Sequence, residues 1–537
     1  MFTNNTILKK IKDNKITFIL FLVLFIIGLF TFKDYGVSTD EQMQKEHLLQ
    51  NYYEYVKLFE NITHTKNNSI KNAYEYKKLN MEGINSYIYK YYGVGIQFPL
   101  ILIEQITNFK LDISIYYYIR HLYTFIIYFI SIIYFYLMLN RYILKNQKYS
   151  ILGTMFLVLS PRIYGDSFYN IKDLVFMSLC IINCYYCLKL LNTNRDNIKD
   201  IIKLSLITAL TINSRIIGGF IIFLFFIMKF LINTKDIRKV LLSFIKIIIF
   251  TYGFYFIMTP AMWYSPFTYI IDSIGFFYNY EDPYSHIVNL CYYLGKWIYS
   301  NELPWHYVPV WIFVTTPIVY MIFFLIGNIK NINDIIKRRI NLNIMFLNII
   351  LFVILLFFII FKPTLYGGWR HLYFLYPLII VDSILGVKFL LDKCLKIRKL
   401  IIFIIIINCF VLIIWMIKNH PYQYNYFDLT FKDYYVNNFE NDYWKLSYTE
   451  ALKYILKKDK RDKIKVRSNH NLCCDRILEQ KDRKRVYLNA PNIDFSSKDN
   501  DYYDYIIGFH IDSKDYSELY YKEINGVRLY TIYKHKK

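Results

Sequence analysis

Several features common in secreted proteins and soluble enzymes are scarce or missing in this sequence. Cysteine accounts for only 8 of its 537 residues, and the spacing gives no disulfide framework. Cys180, Cys184 and Cys187 share a helix face inside an apolar run, but no histidine or carboxylate joins them. That setting favours packed thiols over a metal site.

Motifs for nucleotide binding and hydrolysis are also missing. The sequence has no P-loop, no HExxH pair and no nucleophile elbow, and Gly93 and Gly95 form a lone GxG without the strand–helix context of a dinucleotide site. No linker rich in Gly, Pro or Ser and no internal repeat is visible. The first apolar run has a basic flank but no small-residue cleavage site, so we expect an uncleaved first span.

Long apolar runs are what the sequence has in abundance, since 55% of its residues are hydrophobic. A transmembrane helix needs about 20 mostly apolar residues, and about eleven stretches approach that pattern. We place them at residues 16–32, 113–139, 149–161, 171–191, 201–213, 216–232, 240–259, 306–328, 341–361, 372–390 and 399–417. The expected fold is an all-α polytopic membrane protein with about 11 transmembrane helices.

The formal net charge of +23 reports topology rather than nucleic-acid binding. Residues 420–537 hold 22 Lys and Arg against 18 Asp and Glu, so most of the excess lies earlier. It falls largely in alternate short connections: Arg141, Lys145, Lys148; Arg195, Lys199, Lys203; Lys235, Arg238, Lys239; Lys337, Arg338, Arg339; Lys393, Lys396, Arg398, Lys399. This positive-inside pattern predicts a cytoplasmic N-terminus and a multi-pass protein of the plasma or inner membrane.

Two domains follow from this topology. Residues 1–419 form the multi-span membrane domain, with outer loops at 33–112, 160–173, 259–304 and 362–371. Residues 420–537 alternate short apolar and polar stretches, which predicts a small extracytoplasmic α/β module. Charged groups at membrane depth are costly, so polar residues at the outer ends of several spans indicate one shared outward-facing site.

The first candidate residues are Asp40 and Glu41, just beyond the first apolar run. Two adjacent carboxylates repel one another, and a solvated helix start capped by Ser38 or Thr39 is the plain alternative to chemistry. The charged residues of the other outer motifs favour a chemical role for this pair.

The second outer motif is SPRIYGDSFYNIKD, in which Pro161 ends one span and Asp173 opens the next. Arg162, Asp166, Lys172 and Asp173 bring two cations and two carboxylates together at the outer boundary. A purely structural turn does not need four charges, so the motif favours a functional site over loop anchoring.

Two Arg–His pairs also lie near the outer boundary. Arg120–His121 falls shallowly within the second span, and Arg370–His371 follows a Gly-Gly-Trp loop. A guanidinium suits bidentate phosphate binding, although snorkelling to lipid headgroups is the alternative.

Together these residues resemble the GT-C glycosyltransferases. An acidic pair after the first span, a second acidic motif before the fourth and a soluble outer tail are similar to the branch of protein O-mannosyltransferases and aminoarabinose transferases, which use polyprenyl-phosphate sugars. The segments that carry the resemblance are SPRIYGDSFYNIKD, LPWHYVPVWIFVTTP, GGWRHLYFLYP and HPYQYNYFDLTFKDYYVNNFENDYW, within about residues 15–450. Where the subgroup pattern reads NPKD, this chain has NIKD, which keeps both charges.

The resemblance implies an inverting sugar transfer to an acceptor hydroxyl on a protein, lipid or polysaccharide. It implies Asp40 as general base, with Glu41 as a neighbour that orients it or raises its pKa. The expected phosphate-binding residues are Arg162, Lys172, Arg370 and Arg120. Asp173 would position the acceptor or, together with Asp40, hold a divalent cation, Mg or Mn. Asp166, His371 and His121 are further expected site residues.

Two other function classes stay open at the level of sequence. A lipid-linked glycan transporter or flippase predicts charged residues near mid-membrane, broken spans and internal repeats. A polysaccharide polymerase or ligase also takes lipid-linked glycans outside, but relies on outer-loop Arg and His without the acidic pair. Alanine at Asp40 separates them, because it abolishes transfer and leaves lipid transport intact.

Overall fold

The computed structural model describes residues 15–66, 69–72, 83–193, 196–232, 236–278, 290–431, 434, 437–489, 502–508, 514–524 and 526–536. Parts of the expected outer loops 33–112 and 259–304, of the C-terminal module and of the basic connections therefore lie outside the described residues.

Helices dominate the first four-fifths of the described chain, as the apolar pattern predicts. They are α1 (Lys15–Thr31), α2 (Thr39–Thr63), α3 (Phe98–Ile106), α4 (Ile113–Met138), α5 (Gln147–Val158), α6 (Pro161–Tyr169), α7 (Asp173–Leu191), α8 (Ile198–Ser214), α9 (Gly219–Ile232), α10 (Ile237–Met258), α11 (Tyr269–Tyr278), α12 (Tyr307–Thr315), α13 (Ile318–Ile336), α14 (Leu342–Phe361), α15 (Tyr376–Lys393) and α16 (Arg398–Lys418). A 3₁₀ turn at Arg370–Leu375 leads directly into α15.

Seven helices in the described residues are long and apolar enough to cross a membrane: Ile113–Ile143, Asp173–Leu191, Ile237–Met258, Ile318–Ile336, Leu342–Phe361, Arg370–Lys393 and Leu395–Lys418. Three shorter apolar helices add Lys15–Thr31, Gly95–Ile106 and Ile216–Ile232. The multi-pass helical fold is confirmed, and the count of about 11 spans stays a prediction.

Helix burial separates central from peripheral elements. Nearly every residue of α7 is buried, so it lies inside the bundle. By contrast α10 exposes Ile245, Ile248 and Ile249 along one side. An exposed run of isoleucine on a long helix is stable only against an apolar surround, as expected for a lipid-facing helix.

One expected boundary is wrong in detail. The stretch 306–328 is not one continuous span, because the chain is extended at Thr316, before Pro317, with φ −103° and ψ 136°. Proline disfavours helical backbone at the residue before it, so α12 ends there and α13 starts anew. The expected loop 160–173 contains α6, which begins with Pro161 at a favoured first-turn position.

The C-terminal region forms the expected small α/β module. A separate two-stranded hairpin, β1 (Leu290–Tyr293) and β2 (Lys296–Tyr299), lies earlier in the chain, before α12. The elements of the module are α17 (Tyr448–Lys458), β3 (Ile464–Ser468), α18 (Gln480–Arg483), β4 (Val486–Asn489), β5 (Tyr505–Gly508), β6 (Tyr516–Ile524) and β7 (Val527–His535). Its sheet has the order β4-β3-β5-β7-β6. Strands β4, β3 and β5 are parallel and the β5–β7 and β7–β6 pairs are antiparallel.

Candidate active site

Asp40 and Glu41 lie in the first turn of α2, but they face different surroundings. Ser38 caps this helix, and its side chain and that of Glu41 form a reciprocal capping box. Consecutive helical residues point about 100° apart. The Asp40 side chain is accordingly 32% exposed, whereas Glu41 is 1% exposed.

Glu41 belongs to a buried cluster that joins α2 to α4. Its Oε1 lies 3.1 Å from His121 Nε2 and 3.6 Å from Arg120 Nε. The same guanidinium donates to Gln97 Oε1 at 3.1 Å and to Gln44 Oε1 at 3.0 Å. A buried charge is tolerated when it is paired and hydrogen-bonded, so this network holds the start of α2 in place. The structure thus separates Arg120 and His121 from the surroundings of Asp40.

Arg370 is the centre of the group that contains Asp40. Its Nη1 donates to Asp40 Oδ2 at 2.9 Å and lies 3.4 Å from Asp173 Oδ2. The other carboxylate oxygen of Asp173 accepts from Arg215 Nη2. Asp173 is fully buried between these two guanidinium groups, while Asp40 keeps an open side.

Aromatic rings fix the Arg370 guanidinium. Its Cζ lies 4.9 Å from the ring centroid of Tyr366, 5.0 Å from that of Tyr443 and 4.7 Å from that of Trp444. Stacking on a ring face suits a planar delocalised cation better than an ammonium group. Two of the rings, Tyr443 and Trp444, come from the C-terminal region 420–537, before α17, and this region therefore helps to form the site.

A glycine turn brings Arg370 to this position. Gly367 and Gly368 have φ of 65° and 74°, the left-handed region that side chains rarely adopt. A Cβ at Gly367 would also lie 3.1 Å from Arg370 Nε. The Gly-Gly-Trp sequence noted above is therefore a structural requirement of the site.

The segment YYGVGIQFP, residues 91–99, packs on the end of α8, two residues before Arg215. A Cβ at Gly93 would lie 1.9 Å from the carbonyl oxygen of Asn213, and the Gly95 amide donates to Asn213 Oδ1 at 2.7 Å. Close backbone approach, rather than phosphate binding, explains the two glycines of the GxG sequence.

Lys172 lies beside this group. Its Nζ is 3.6 Å from the ring centroid of Tyr92. The imidazole of His47, on α2, stacks on the same tyrosine ring. Burial, with Lys172 as a nearby cation, lowers the pKa of His47 to about 3, so this imidazole is neutral. The amide of Asp173, the first residue of α7, donates to Asn170 Oδ1 at 2.8 Å, which fixes the residue next to Lys172.

Arg162 and Asp166 lie on α6, on another side of Arg370. Arg162 Nη2 donates to the Tyr426 carbonyl at 3.2 Å, and its guanidinium covers the rings of Trp311 and Phe427. Asp166 accepts from the Tyr169 hydroxyl. Burial raises the pKa of Asp166 to about 6, although Tyr169 and Arg162 act in the opposite direction.

Two cavities meet at the loop that precedes α15. The larger cavity has a volume of about 570 Å³, apolar walls and a polar end formed by Lys172, Arg215 and His371. The smaller cavity, of about 30 Å³, is lined by Arg162 and Arg370 among others. His371 keeps a buried Nδ1 without a hydrogen-bond partner among the described residues.

Sequence reasoning missed several residues of this site. Arg215 is an arginine in the short outer turn between two expected spans, which is the signal that could have identified it. Tyr443, Trp444 and Glu440 lie in the FENDYW segment, whose motif was noted without roles. Their positions depend on long-range packing that spacing does not reveal.

The described residues do not fit the expected divalent cation. Arg370 occupies the space between the carboxylates of Asp40 and Asp173, so a guanidinium already neutralises the pair that would hold the ion. No group of three or more His, Cys, Asp or Glu in the described part of the chain is arranged to hold a metal.

No protein-family model and no curated protein matches this chain. Eight chains of solved structures are similar to part of it, among them the following three. ArnT from Cupriavidus metallidurans bound to undecaprenyl phosphate has 10% identity and a TM-score of 0.36, covering 50% of this chain and 46% of that chain. The same protein in the apo state has 12% identity and a TM-score of 0.35, covering 51% and 45%.

The third similar structure is the apo form of the Archaeoglobus fulgidus oligosaccharyltransferase, with 10% identity and a TM-score of 0.39, covering 75% of this chain and 57% of that chain. The chain spans about half the length of the solved structures it matches.

Proposed function

We propose that this chain is a glycosyltransferase that moves a sugar from a polyprenyl-phosphate donor to an acceptor hydroxyl, with inversion, on the outer face of a membrane. The observation that carries the proposal is the large cavity, whose apolar walls end at the basic side chains of Lys172 and Arg215 beside Asp40, Asp173 and Arg370. An apolar passage with a cationic end suits a molecule with a long hydrocarbon chain and a phosphate.

The apolar walls bind the prenyl chain. They consist of the side chains Ile212, Ile216, Ile217, Phe220, Ile274, Phe277, Phe357, Phe358 and Phe361. Burying apolar surface contributes about 25 cal/mol per Å², so a prenyl chain gains substantially from this cavity. The sugar phosphate is then drawn to Lys172 and Arg215, and cations that neutralise a departing phosphate lower the barrier to transfer.

Asp40 is the general base in this proposal. Among the described residues its one hydrogen bond is to Arg370, and its side chain keeps an exposed side from which a hydroxyl can approach. Asp173, by contrast, has both oxygens bound to arginine and no exposure. We assign Asp173 to holding Arg215 and Arg370, and Asp40 to taking the proton of the acceptor hydroxyl as its oxygen attacks the anomeric carbon.

The remaining residues divide between support and binding. Glu41, Arg120 and His121 position the start of α2 through their buried network. His371 faces the donor cavity, and Arg162 and Asp166 face the smaller one. Because Arg370 separates Asp40 from Asp173, we derive no step through a divalent cation.

The proposal requires a cytoplasmic N-terminus and an outer C-terminal module, in the plasma or inner membrane. A reporter fused after residue 430 should be active outside the cytoplasm, and one fused near Arg339 should be active inside. A cytoplasmic C-terminus would contradict the arrangement, because it would move the site to the other face of the membrane.

The test of the donor is a matched pair of substitutions on α9. Phe220 lines the large cavity, whereas Phe230 on the same helix is 45% exposed. The purified protein in lipid nanodiscs is assayed with labelled polyprenyl-phosphate hexoses and pentoses. Overfilling the cavity with Phe220→Trp should raise the KM for the donor about tenfold, and Phe230→Trp should leave it unchanged.

Equal effects of the two variants would argue against this cavity as the donor site. Absence of transfer from every polyprenyl-phosphate sugar would end the proposal. EDTA in parallel samples should leave the rate unchanged, because a guanidinium already occupies the space between the two carboxylates.

A further inference from the structure

Tyr92 lies at the polar end of the large cavity, where its ring supports Lys172. The Lys172 Nζ is 3.6 Å from the ring centroid, and both residues line the cavity. A ring face attracts a cation within about 6 Å of its centroid, and the attraction is strongest where water is kept out. The tyrosine therefore stabilises this ammonium group at the position where the proposed donor has its phosphate.

Lys172 has no directly bonded carboxylate among the described residues. It forms neither a salt bridge nor a hydrogen bond there, although Asp173 and Asp40 are close enough to act on its charge from a distance. Arg215 and Arg370, by contrast, each bond a carboxylate directly. A ring face attracts a cation without carrying a charge of its own, so it leaves the charge of Lys172 available to an anion.

Another lysine–tyrosine pair, on α2, has the carboxylate that Lys172 lacks. The Lys57 Nζ is 4.5 Å from the ring centroid of Tyr53 and 3.3 Å from Glu54 Oε1. The charge of Lys57 is thus offset within the protein. An anion that enters the large cavity instead meets an ammonium group that is held by a ring alone.

The Tyr92 ring is itself held in place by two other rings. The imidazole of His47 stacks on it at a centroid distance of 5.4 Å, and the ring of Phe277 meets it edge-on at 5.2 Å. Phe277 belongs to the apolar wall of the large cavity. The low pKa of His47, about 3, keeps its imidazole uncharged, so it does not compete with Lys172 as a second cation on this ring.

The backbone next to Tyr92 is fixed as well. A Cβ at Gly93 would overlap the carbonyl oxygen of Asn213, at the end of α8, so only glycine permits this approach. Arg215 follows Asn213 by two residues. One backbone contact thus links the segment of Tyr92 to that of Arg215, the other basic residue at the phosphate end of the cavity.

We propose that Tyr92 positions Lys172 for the donor phosphate by holding the ammonium group with the face of its ring. The inference rests on the proposed function, and it gives the YYGVGIQFP segment a role in donor binding. Tyr92 acts through Lys172 rather than on the reacting atoms. Without the ring, the phosphate alone has to order a flexible lysine side chain, which lowers affinity.

Binding is measured on the purified full chain in detergent micelles. The probes are a labelled polyprenyl phosphate and the uncharged polyprenol of the same length. Tyr92→Leu should weaken binding of the polyprenyl phosphate about tenfold and leave that of the polyprenol nearly unchanged. Tyr92→Phe keeps the ring and should bind both lipids as the unmodified protein does. The matched control Tyr53→Leu, which removes the ring beside Lys57, should change neither. Equal losses for the two lipids in Tyr92→Leu would overturn the inference, because the ring would then only pack in the cavity wall.

Ring-fluorinated phenylalanines at position 92 test the electrostatic contact directly, because fluorine withdraws charge from the ring face and nearly preserves its shape. Affinity for the polyprenyl phosphate should fall with each added fluorine, and affinity for the polyprenol should not. Constant affinity across the series would overturn the inference. This series decides it even if Tyr92→Leu does not fold.

A double variant tests whether Tyr92 acts through Lys172. Lys172→Met should also weaken binding of the polyprenyl phosphate, and adding Tyr92→Leu to it should cause little further loss. Losses that multiply in the double variant would show that the two residues act independently, which would overturn the inference.

The transfer assay separates this inference from the proposed function. Tyr92→Leu should raise the KM for the donor about tenfold and leave the KM for the acceptor unchanged. If the polyprenyl phosphate binds as expected and no sugar is transferred, the proposed function fails and the role of Tyr92 in phosphate binding stands. If no polyprenyl phosphate binds, the donor site and this inference both fail.

Discussion

The side-chain amide of Asn471 donates to the carbonyl oxygen of Val37 at 2.9 Å and lies 3.2 Å from that of Trp444. Asn471 follows β3 of the C-terminal module and is fully buried. Val37 lies three residues before Asp40, so one amide of the module holds the chain that leads to the proposed base. The module is therefore part of the site's support.

The backbone before Asp40 also touches the part of the C-terminal region that precedes α17. A Cβ at Gly36 would lie 2.3 Å from the carbonyl oxygen of Leu446, so a larger residue would displace this chain. Small displacements at a reacting group cost up to about 100-fold in rate. The contacts of Gly36 and Asn471 thus predict an effect on turnover from residues that touch no substrate.

Asn471→Ala should lower kcat about 10- to 100-fold and leave the KM for the donor nearly unchanged. It should also reduce stability by about 1–3 kcal/mol, because buried carbonyl groups lose their donor. Asn343→Ala is the control, since the Asn343 amide likewise donates to a backbone carbonyl, that of Tyr142, at 3.1 Å. Asn343 lies in the first turn of α14, at the end of the helix away from the large cavity. We expect both variants to lower the thermal midpoint by similar amounts, but only Asn471→Ala to lower kcat. Equal kcat in both variants would show that Asn471 is merely structural.

Asp40→Asn tests the general base. The amide keeps the size and most of the hydrogen bonding of Asp40 but cannot take the proton, so transfer should fall by about 100-fold or more. Donor binding and the thermal midpoint should change little, because Asp40 is 32% exposed. Initial rates and donor binding are measured on the same purified variant. A rate close to that of the unmodified protein would end the assignment.

Glu41→Gln should lower stability more than rate, the reverse of what is expected for Asp40→Asn. It leaves the fully buried Arg120 without its charged partner, which costs about 3–5 kcal/mol for a broken buried pair. The thermal midpoint should fall clearly, while the initial rate measured well below it stays close to that of the unmodified protein. A large loss of rate in a folded Glu41→Gln protein would contradict the purely structural role.

The helical architecture could be predicted from the sequence because lipid-facing helices must be apolar along their whole length. The break at Thr316–Pro317 could have been expected from the proline, yet the apolar composition on both sides concealed it. The α/β module was predicted from alternation. Its contact with Val37 was not, because alternation within a strand says nothing of what the strand packs against.

The site could be predicted in part. Asp40, Asp173 and Arg370 carry charge at the ends of apolar runs, and the structure brings these three together. The pairing of Asp173 with Arg215 depends on the packing of a distant glycine loop, which spacing does not encode. The separation of Glu41 from Asp40, however, follows from helix geometry alone.

Arg370→Lys should impair the site although it preserves charge. The Arg370 guanidinium reaches two carboxylates and packs against three aromatic rings, and a lysine ammonium cannot reproduce a planar stacked group. The KM for the donor should rise and kcat should fall, each about tenfold. Arg461→Lys, at a half-exposed salt bridge of the module, is the control. Unchanged donor use in Arg370→Lys would refute the role of this guanidinium in holding Asp40 and Asp173 beside the phosphate-binding residues.

The last prediction concerns the pH dependence of stability. Asp166 is buried, and burial raises its pKa in the folded protein from the ordinary 3.8 to about 6. The groups that face it are Tyr169, Arg162, Asn170 and Asp173; the first three lower its pKa, and Asp173 raises it. Because the folded protein binds this proton more tightly than the unfolded chain, ionisation of Asp166 destabilises the fold as pH rises.

Its contribution should be fully present below about pH 4 and be lost as pH rises to about pH 6, with an amplitude of about 3 kcal/mol. Asp166→Asn should flatten this part of the profile of thermal midpoint against pH. The control is Asp459→Asn, because salt bridging to Arg461 holds the pKa of Asp459 at about 2 and confines its effect to more acidic solutions. A profile of Asp166→Asn that runs parallel to that of the unmodified protein between these two pH values would show that Asp166 is ionised throughout, with Arg162 as its effective counter-charge.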